Sequence, residues 1–405
     1  MTPETLAAFL QSVERSLPWW LLLPGAFVGH GYLFIVALNV FYALPLPRKL
    51  LKYTRKADLL IVFAGPVLFA ILLDVFDTQR LSWNGSVPTF LSAYVVLCWI
   101  VGVAIAPVCE IFYLLRRPAP QLVSETALTV DVAKELGYAP RGSGRDARLC
   151  ALPLNQCFQV EFTEKTLLLP RIPPAWDGLT ILHLTDLHLC GTPDRVFYHY
   201  VMDRCMKAGV PDLVMLTGDI VDSDWHHRWV VPILGKLRWN IGAFAILGNH
   251  DGWRDVSLIR RRVRRAGLVM LGNNWQSIDV RGERMIVVGN EAPWFTPMPD
   301  LGKCTDGVFR LLLSHTPDQI AWARANKIDL MLAGHVHGGQ IRLPLLGSVF
   351  VPSRYSRKYD CGTFFADPTI MHVGRGLGGQ HPLRFFCKPE VTRIILRKGN
   401  QPFAA

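Results

Sequence analysis

Apolar positions follow two unlike patterns along this chain. Before about residue 117 they form long, nearly unbroken runs, at Trp19–Pro45, Leu59–Phe76 and Phe90–Leu115. A helix needs ~20 such residues to cross a bilayer, so the pattern predicts three transmembrane helices. The stretch MTPETLAAFLQSVERS ahead of them holds Glu4, Glu14 and Arg15, which is not the positive start of a cleaved signal peptide. Arg48, Lys49, Lys52, Arg55 and Lys56 fill the first connection, whereas the second offers Arg80 beside Asp77. Arg116 and Arg117 close the third run. By the bias of basic residues toward the inner side, the 48–56 loop and everything after Arg117 are expected in the cytoplasm, on a multi-pass protein of the cell (inner) membrane. His30 falls inside the first run, where an imidazole either bonds a neighbouring helix or serves a function. The sequon Asn84-Gly85-Ser86 lies in the outer connection, and a match that short arises readily by chance.

Residues 118–157 are rich in Pro, Gly, Ser and charge and read as a linker with one short helix. From 158 onward the apolar runs shorten and end in polar residues: LTILHLTDLH, DLVMLTGD, GAFAILGNHD, FRLLLSH and IDLMLAGHVHGG. Helix-like segments sit between them near 194–208, 254–266 and 317–326. Buried strands alternating with helices predict a layered α/β domain over 158–405. Ligands of such sheets collect at the carboxyl ends of the strands.

Those ends carry Asp186, His188, Asp219, Asn249, His250, His315, His335 and His337. All are oxygen or nitrogen donors, a set that suits Mn, Fe, Zn or Mg better than a thiolate-rich structural zinc site. Residues two apart in an extended segment point the same way, so Asp186 with His188, and His335 with His337, can each converge. A single histidine at a strand end is ordinarily structural; the whole series together indicates a metal site.

The series D-x-H (186–188), G-D (218–219), G-N-H-D (248–251), H (315) and G-H-x-H (334–337) resembles the calcineurin-like metallophosphoesterase superfamily over about 158–396. The resemblance implies a four-layer β-sandwich flanked by helices, here preceded by the three-helix membrane region of residues 1–117. It implies two divalent metal ions, Mn first: Asp186, His188 and His337 on one, Asn249, His315 and His335 on the other, and Asp219 bridging. His250 would protonate the leaving group, with Asp251 as its orienting partner. A pair of cations about 3.5–4 Å apart acidifies the water between them and neutralises charge on the phosphoryl oxygens. The segments GHVHGGQIRLP, PSRYSRKYDCG and VGRGLGGQHPLRFFCKPEV are similar to a membrane-associated branch that includes bacterial UDP-2,3-diacylglucosamine pyrophosphatase.

Arg354, Arg357 and Lys358 could hold substrate phosphate or be ordinary surface charge. Helix 254–266 sets Val256, Ile259, Val263 and Ala266 on one face and its arginines on the other, to face solvent or anionic headgroups. The 292–299 loop offers Trp294, Phe295 and Met298 to lipid or to the core edge, His183 reads as structural, and His226 and His227 have no assigned role. Nine scattered cysteines without a CxxC pair suit a reducing compartment, and the net charge of +11 suits a phosphate-bearing or anionic-membrane partner. No nucleic-acid recognition module is visible, so none is expected as partner. The expected substrate is a membrane lipid or lipid-linked nucleotide, hydrolysed at a phosphodiester or pyrophosphate bond; UDP-2,3-diacylglucosamine, giving lipid X and UMP, is the leading case. The alternatives are a broad phosphodiesterase or lipid phosphatase at the membrane surface and a catalytically inactive membrane scaffold.

Overall fold

The computed structural model describes Thr5 and residues 19–72, 89–144, 146–302, 304 and 307–399. It divides into two compact units, Met1–Arg116 and Arg117–Ala405.

The first unit is helical: Trp19–Tyr42, Arg48–Leu72, and Thr89–Ile100 continued through a π turn at Val101–Ile105 into Ala106–Leu114. The outer two of these approach closely because small residues meet. A Cβ on Gly29 would overlap the Cys98 carbonyl, and one on Gly102 would overlap the carbonyl of Gly25. Such small-residue crossings replace the hydrophobic drive that lipid does not supply. His30 is buried; its Nδ1 lies 2.9 Å from the Tyr94 hydroxyl and its Nε2 3.3 Å from the Ile61 carbonyl. The imidazole thus bridges the three helices. Two described stretches are long and apolar enough to cross a membrane, Leu23–Tyr42 and Ala93–Leu114. The basic 48–56 stretch expected as a connection is helical instead, because the helix Arg48–Leu72 begins well before the expected middle span at Leu59, and the described part of that span, 59–72, is not by itself of membrane length. The end of that span (73–76), Arg80 with Asp77, and the sequon at 84–86 lie outside the described residues.

The second unit stacks two sheets. One runs β1 (Leu122–Asp131), β2 (Gln159–Leu169), β15 (Glu390–Lys398), β3 (Leu179–Leu184), β4 (Leu213–Thr217), β5 (Gly242–Ile246) and β6 (Val269–Met270). The other runs β13 (Gly362–Ala366), β14 (Thr369–Val373), β10 (Leu330–Ala333), β9 (Phe309–Ser314), β8 (Glu283–Asn290) and β7 (Trp275–Val280). Strands β3 to β6 pair in parallel, as do β8, β9, β10 and β14. Alternate side chains of each sheet fill the space between them, with Ile181, Met215 and Ile246 against Val287, Leu311 and Leu332. The opposite faces bury helices: Leu182 and Leu216 with Phe197, Val201 and Ile259 on one side, Leu312 and Met331 with Ile320 and Ala323 on the other. Helix, sheet, sheet and helix make the expected four layers. Double burial explains why the central strands read as unbroken apolar runs.

The helices Arg195–Lys207, Val256–Arg265 and Ile320–Ala325 fall where periodicity places them. The 118–157 region is a correction. Instead of a linker it supplies β1, an edge strand paired antiparallel with β2 along its length, and the helix Val132–Leu136. Most of β1 is solvent-exposed, so it lacks the apolar signature of a strand.

Candidate metal centre

Five parallel strands from the two sheets end at one place. Asp186 and His188 follow β3, Asp219 follows β4, Asn249 follows β5, His315 follows β9, and His335 and His337 follow β10. The turns beyond β3, β4 and β10 are tight. Asp186 (φ 52), His188 (φ 47), Asp219 (φ 51), His335 (φ 70) and His337 (φ 51) all occupy the left-handed region. That conformation costs a side chain energy and persists where the surroundings enforce it, most often at functional sites. Gly334 lets the loops close: a Cβ there would collide with Thr185 Oγ1 and Asp186 Oδ2.

Three overlapping groups of potential ligand atoms result, one of them His188, Asp219 and His250, and the other two are the following. In the first, His188 Nε2 lies 3.1 Å from His337 Nε2, 3.7 Å from Asp186 Oδ1 and 3.5 Å from Asp219 Oδ2, while His337 Nε2 lies 3.5 Å from Asp186 Oδ1. In the second, His315 Nε2 lies 3.0 Å from Asn249 Oδ1 and 3.4 Å from Asp219 Oδ1, with His335 in the same cluster. Bonds of about 2.1 Å to one cation place neighbouring donors about 3.0–3.4 Å apart. The spacing therefore fits metal coordination, with one carboxylate oxygen of Asp219 in each group. His335 adds a buried Nε2 that has no hydrogen-bond partner among the described residues.

The electrostatics agree. Burial works against charge on Asp186, but the imidazoles of His337, His315 and His188 hold its carboxyl well below the carboxylate range. Burial also opposes a charged His315, yet Asp219 beside it raises that imidazole to about 9. Burial, reinforced by His315, lowers His335 to about 3. Asp186 is thus held as an anion among buried imidazoles, and a cation bound there would take the place of the ring protons.

A surrounding shell sets the orientation of these groups. His315 Nδ1 donates to the Thr217 carbonyl at 2.7 Å, which leaves Nε2 toward the cluster. Thr185 Oγ1 donates to Asp186 Oδ2 at 2.7 Å. Asp222 serves two histidines: Oδ1 accepts from His250 Nδ1 at 2.5 Å, and Oδ2 lies 3.0 Å from His188 Nδ1, though off the hydrogen-bond line. His250 Nε2 is thereby turned to the centre, 4.0 Å from Asp219 Oδ2. Asp251, expected to orient His250, does something else. Its carboxylate accepts backbone N–H groups of Ile220 (3.0 Å), Val221 (2.9 Å) and Gly248 (3.0 Å), which ties the Asp219 and Asn249 loops together. The short turn Asn249–Gly252 directs residue 251 back into its own N-terminus and away from the ring of residue 250. Asp222 and Arg384 are the residues sequence reasoning missed. Asp222 stands three residues after Asp219 in GDIVD, which is the only signal for it. Buried Arg384 donates to the carbonyls of Arg375 (2.9 Å), Gly376 (3.3 Å), Gly378 and His337 (3.3 Å), clasping the loops behind His337; it carries no sequence signal.

The remaining expected residues are dispersed. Arg354 and Lys358 are exposed, and the Arg357 guanidinium donates to the Leu346 carbonyl. Asp318, three residues after His315, anchors that loop by accepting from Ser353 Oγ at 2.5 Å and Arg354 N at 3.0 Å. Trp294 packs on both His315 and His335, with ring centroids 5.4 and 4.8 Å away, and Trp253 lies 4.4 Å from His250. Tryptophans therefore wall the centre on both sides. His183 bonds Thr217 Oγ1 at 2.9 Å within the sheets, and burial lowers it to about 4. His226 meets the Trp229 ring edge-to-face and His227 Nδ1 bonds the Asp224 carbonyl, so neither joins the centre. Arg260 leaves the basic face of its helix to pair with buried Glu291, whose Oε1 accepts Leu247 N at 2.7 Å just before Asn249.

Residues 179–339 match the model of the calcineurin-like phosphoesterase family. The chain is 32% identical over 255 residues to the uncharacterized metallophosphoesterase YkuE of Bacillus subtilis, a match covering 60% of this chain and 87% of YkuE. It is 32% identical over 224 residues to the phosphodiesterase YaeI of Escherichia coli, covering 53% of this chain and 81% of YaeI. A transmembrane protein with metallophosphoesterase domain from Bos taurus is 26% identical over 328 residues, 75% of this chain and 68% of its own length. With strand ends, donors and matches in agreement, the chain belongs to the calcineurin-like phosphoesterases and is a metal-dependent phosphoester hydrolase.

Proposed function

We propose that this protein is a two-metal phosphoesterase, anchored in the cell membrane by three helices, that hydrolyses a lipid-linked phosphodiester or pyrophosphate at the cytoplasmic surface. The carrying observation is the covalent join. A helical unit with two membrane-length apolar stretches ends at Arg116, and the unit that gathers the metal donors begins at the next residue. A soluble substrate gains nothing from such a tether, whereas a substrate dissolved in the bilayer gains effective concentration. The transmembrane relative from Bos taurus supports the arrangement, and the basic 48–56 segment favours an inward-facing domain.

In this reading Asp186, His188 and His337 hold one ion, Asn249, His315 and His335 the other, and Asp219 bridges them; Mn is the preferred metal. Bound ions would supply an acidified water and neutralise the phosphoryl oxygens. His250 donates a proton from Nε2 to the departing oxygen while Asp222 keeps Nδ1 protonated. Asp251 holds the two ligand loops in register.

UDP-2,3-diacylglucosamine is the specific substrate to test. Full-length protein in detergent with Mn²⁺ should release UMP from it, and Asp219→Ala and His250→Ala should abolish that release. UMP absent while bis(p-nitrophenyl) phosphate is cleaved would refute UDP-2,3-diacylglucosamine as the substrate, and activity on lipid diesters no better than on that soluble diester would refute the lipid reading. The second reading, a broad phosphodiesterase, would then stand, and likeness to the phosphodiesterase YaeI favours it.

A further inference from the structure

Just beyond His337 the chain forms a hairpin, β11 (Arg342–Leu343) paired antiparallel with β12 (Gly347–Ser348). Its tip is apolar and faces water. Leu345 is 89% exposed, and Ile341, Leu343 and Leu346 are exposed with it. Phe386, 61% exposed, lies one residue past Phe385, whose carbonyl accepts Arg342 N at 2.9 Å. The base is held fast: buried Asp360 accepts from Ser348 Oγ at 2.6 Å and Arg342 Nη1 at 2.9 Å, and the Arg357 guanidinium holds the Leu346 carbonyl. Leu345 itself sits at φ 68, a costly conformation for a leucine and one that projects it at the apex. Folding has fixed apolar side chains in solvent, which marks an interaction site.

We propose that this hairpin, with Phe386, inserts into the surface of an anionic lipid bilayer and sets the metal centre against it. The proposal rests on the membrane reading above and adds a second, peripheral contact to the helical tether. Two observations select a bilayer over a protein partner. Exposed Arg354 and Lys358 belong to the loop that clamps the hairpin, and apolar tips flanked by basic residues suit the headgroup region. The same chain carries helices of membrane length, so its surface already works beside lipid. The hairpin starts five residues after His337, so a docked tip would hold the loop that carries this candidate ligand close to the headgroup layer.

The test is hydrogen exchange of the 341–350 amides in the full chain, reconstituted in nanodiscs of phosphatidylglycerol and phosphatidylcholine and, for comparison, held in amphipol. Exchange should be at least tenfold slower in the nanodiscs, and the double variant Leu345→Ser/Leu346→Ser should lose that protection. The variant should still cleave bis(p-nitrophenyl) phosphate within twofold of wild type while turning over bilayer-embedded substrate at least tenfold more slowly. Equal exchange in nanodisc and amphipol overturns the proposal. So does protection that grows with protein concentration in amphipol, which would identify a second copy as the occupant. A wild-type chain inert on both the soluble diester and bilayer-embedded UDP-2,3-diacylglucosamine would instead count against the proposed substrates, and the exchange comparison would still decide the surface.

Discussion

Replacing Asp222 with asparagine isolates a positioning residue that touches neither metal nor substrate in this reading. One carboxylate faces two imidazoles, His250 Nδ1 at 2.5 Å and His188 Nδ1 at 3.0 Å. Burial resists its ionisation, but the two histidines hold its carboxyl well below the ordinary carboxylate range. The carboxylate in turn helps raise His188 well above its ordinary value, against burial. An amide has the same shape but one acceptor, so its NH₂ must face one of the two rings. That ring either keeps a donor against a donor or shifts its proton to Nε2, the atom turned to the centre. A hydrogen bond to a charged group is worth about 1.5–3 kcal/mol, which corresponds to roughly 10- to 150-fold. Partners of metal ligands commonly cost about 10- to 100-fold in affinity or activity when changed. Asp222→Asn should therefore lower kcat/KM on bis(p-nitrophenyl) phosphate by one to two orders of magnitude. Titrating Mn²⁺ at fixed substrate separates the causes: a raised half-saturation places the loss at His188, and a lowered plateau places it at His250. Half-saturation and plateau both within twofold of wild type would refute the reasoning.

Gly334→Ala should remove measurable metal, read by elemental analysis, because its Cβ meets Thr185 Oγ1 and Asp186 Oδ2 in a loop that cannot retreat. Trp294→Ala should raise KM several-fold with a smaller change in kcat, since the ring packs on His315 and His335 without offering a ligand atom; a loss confined to kcat would contradict this. Glu390→Gln should destabilise the protein by about 3 kcal/mol at pH 7, the scale for breaking a buried ion pair, measured by thermal unfolding. Burial raises the Glu390 carboxyl, but Arg375, 3.0 Å away, outweighs it and lowers the carboxyl to far below its ordinary range. That stabilisation is present above the unfolded-state value near 4.3 and fades as pH falls below it, so the gap between wild type and variant should narrow between about pH 5 and pH 3.

The clustering of the candidate donors was legible because they follow doubly buried strands, so that polar residues stand out against continuous apolar runs such as GAFAIL before Asn249. What could not be read was orientation. Adjacent Asp251 looked like the partner of His250, yet a tight turn carries it to backbone N–H groups and leaves the ring to Asp222, which is separated from it by a strand crossover. Strand β1 escaped detection for a different reason: an edge strand wet along most of its length has no apolar face to announce it. A middle span was expected from apolar length alone, while the basic stretch before it belongs to the same continuous helix.

The left-handed backbone at Asp186, His188, Asp219, His335 and His337 has a consequence for anyone wishing to change the metal. Exchanging a donor for another element's preferred ligand is normally a question of hardness and charge. At these positions it is also a question of which side chains tolerate that twist, and asparagine, aspartate and histidine do so best among residues with a donor atom. A redesign toward thiolate or longer carboxylate ligands would work against the backbone before it met any cation. The loops thus narrow the choice of donors, and metal preference in this scaffold is more readily retuned from the surrounding shell than from the ligands.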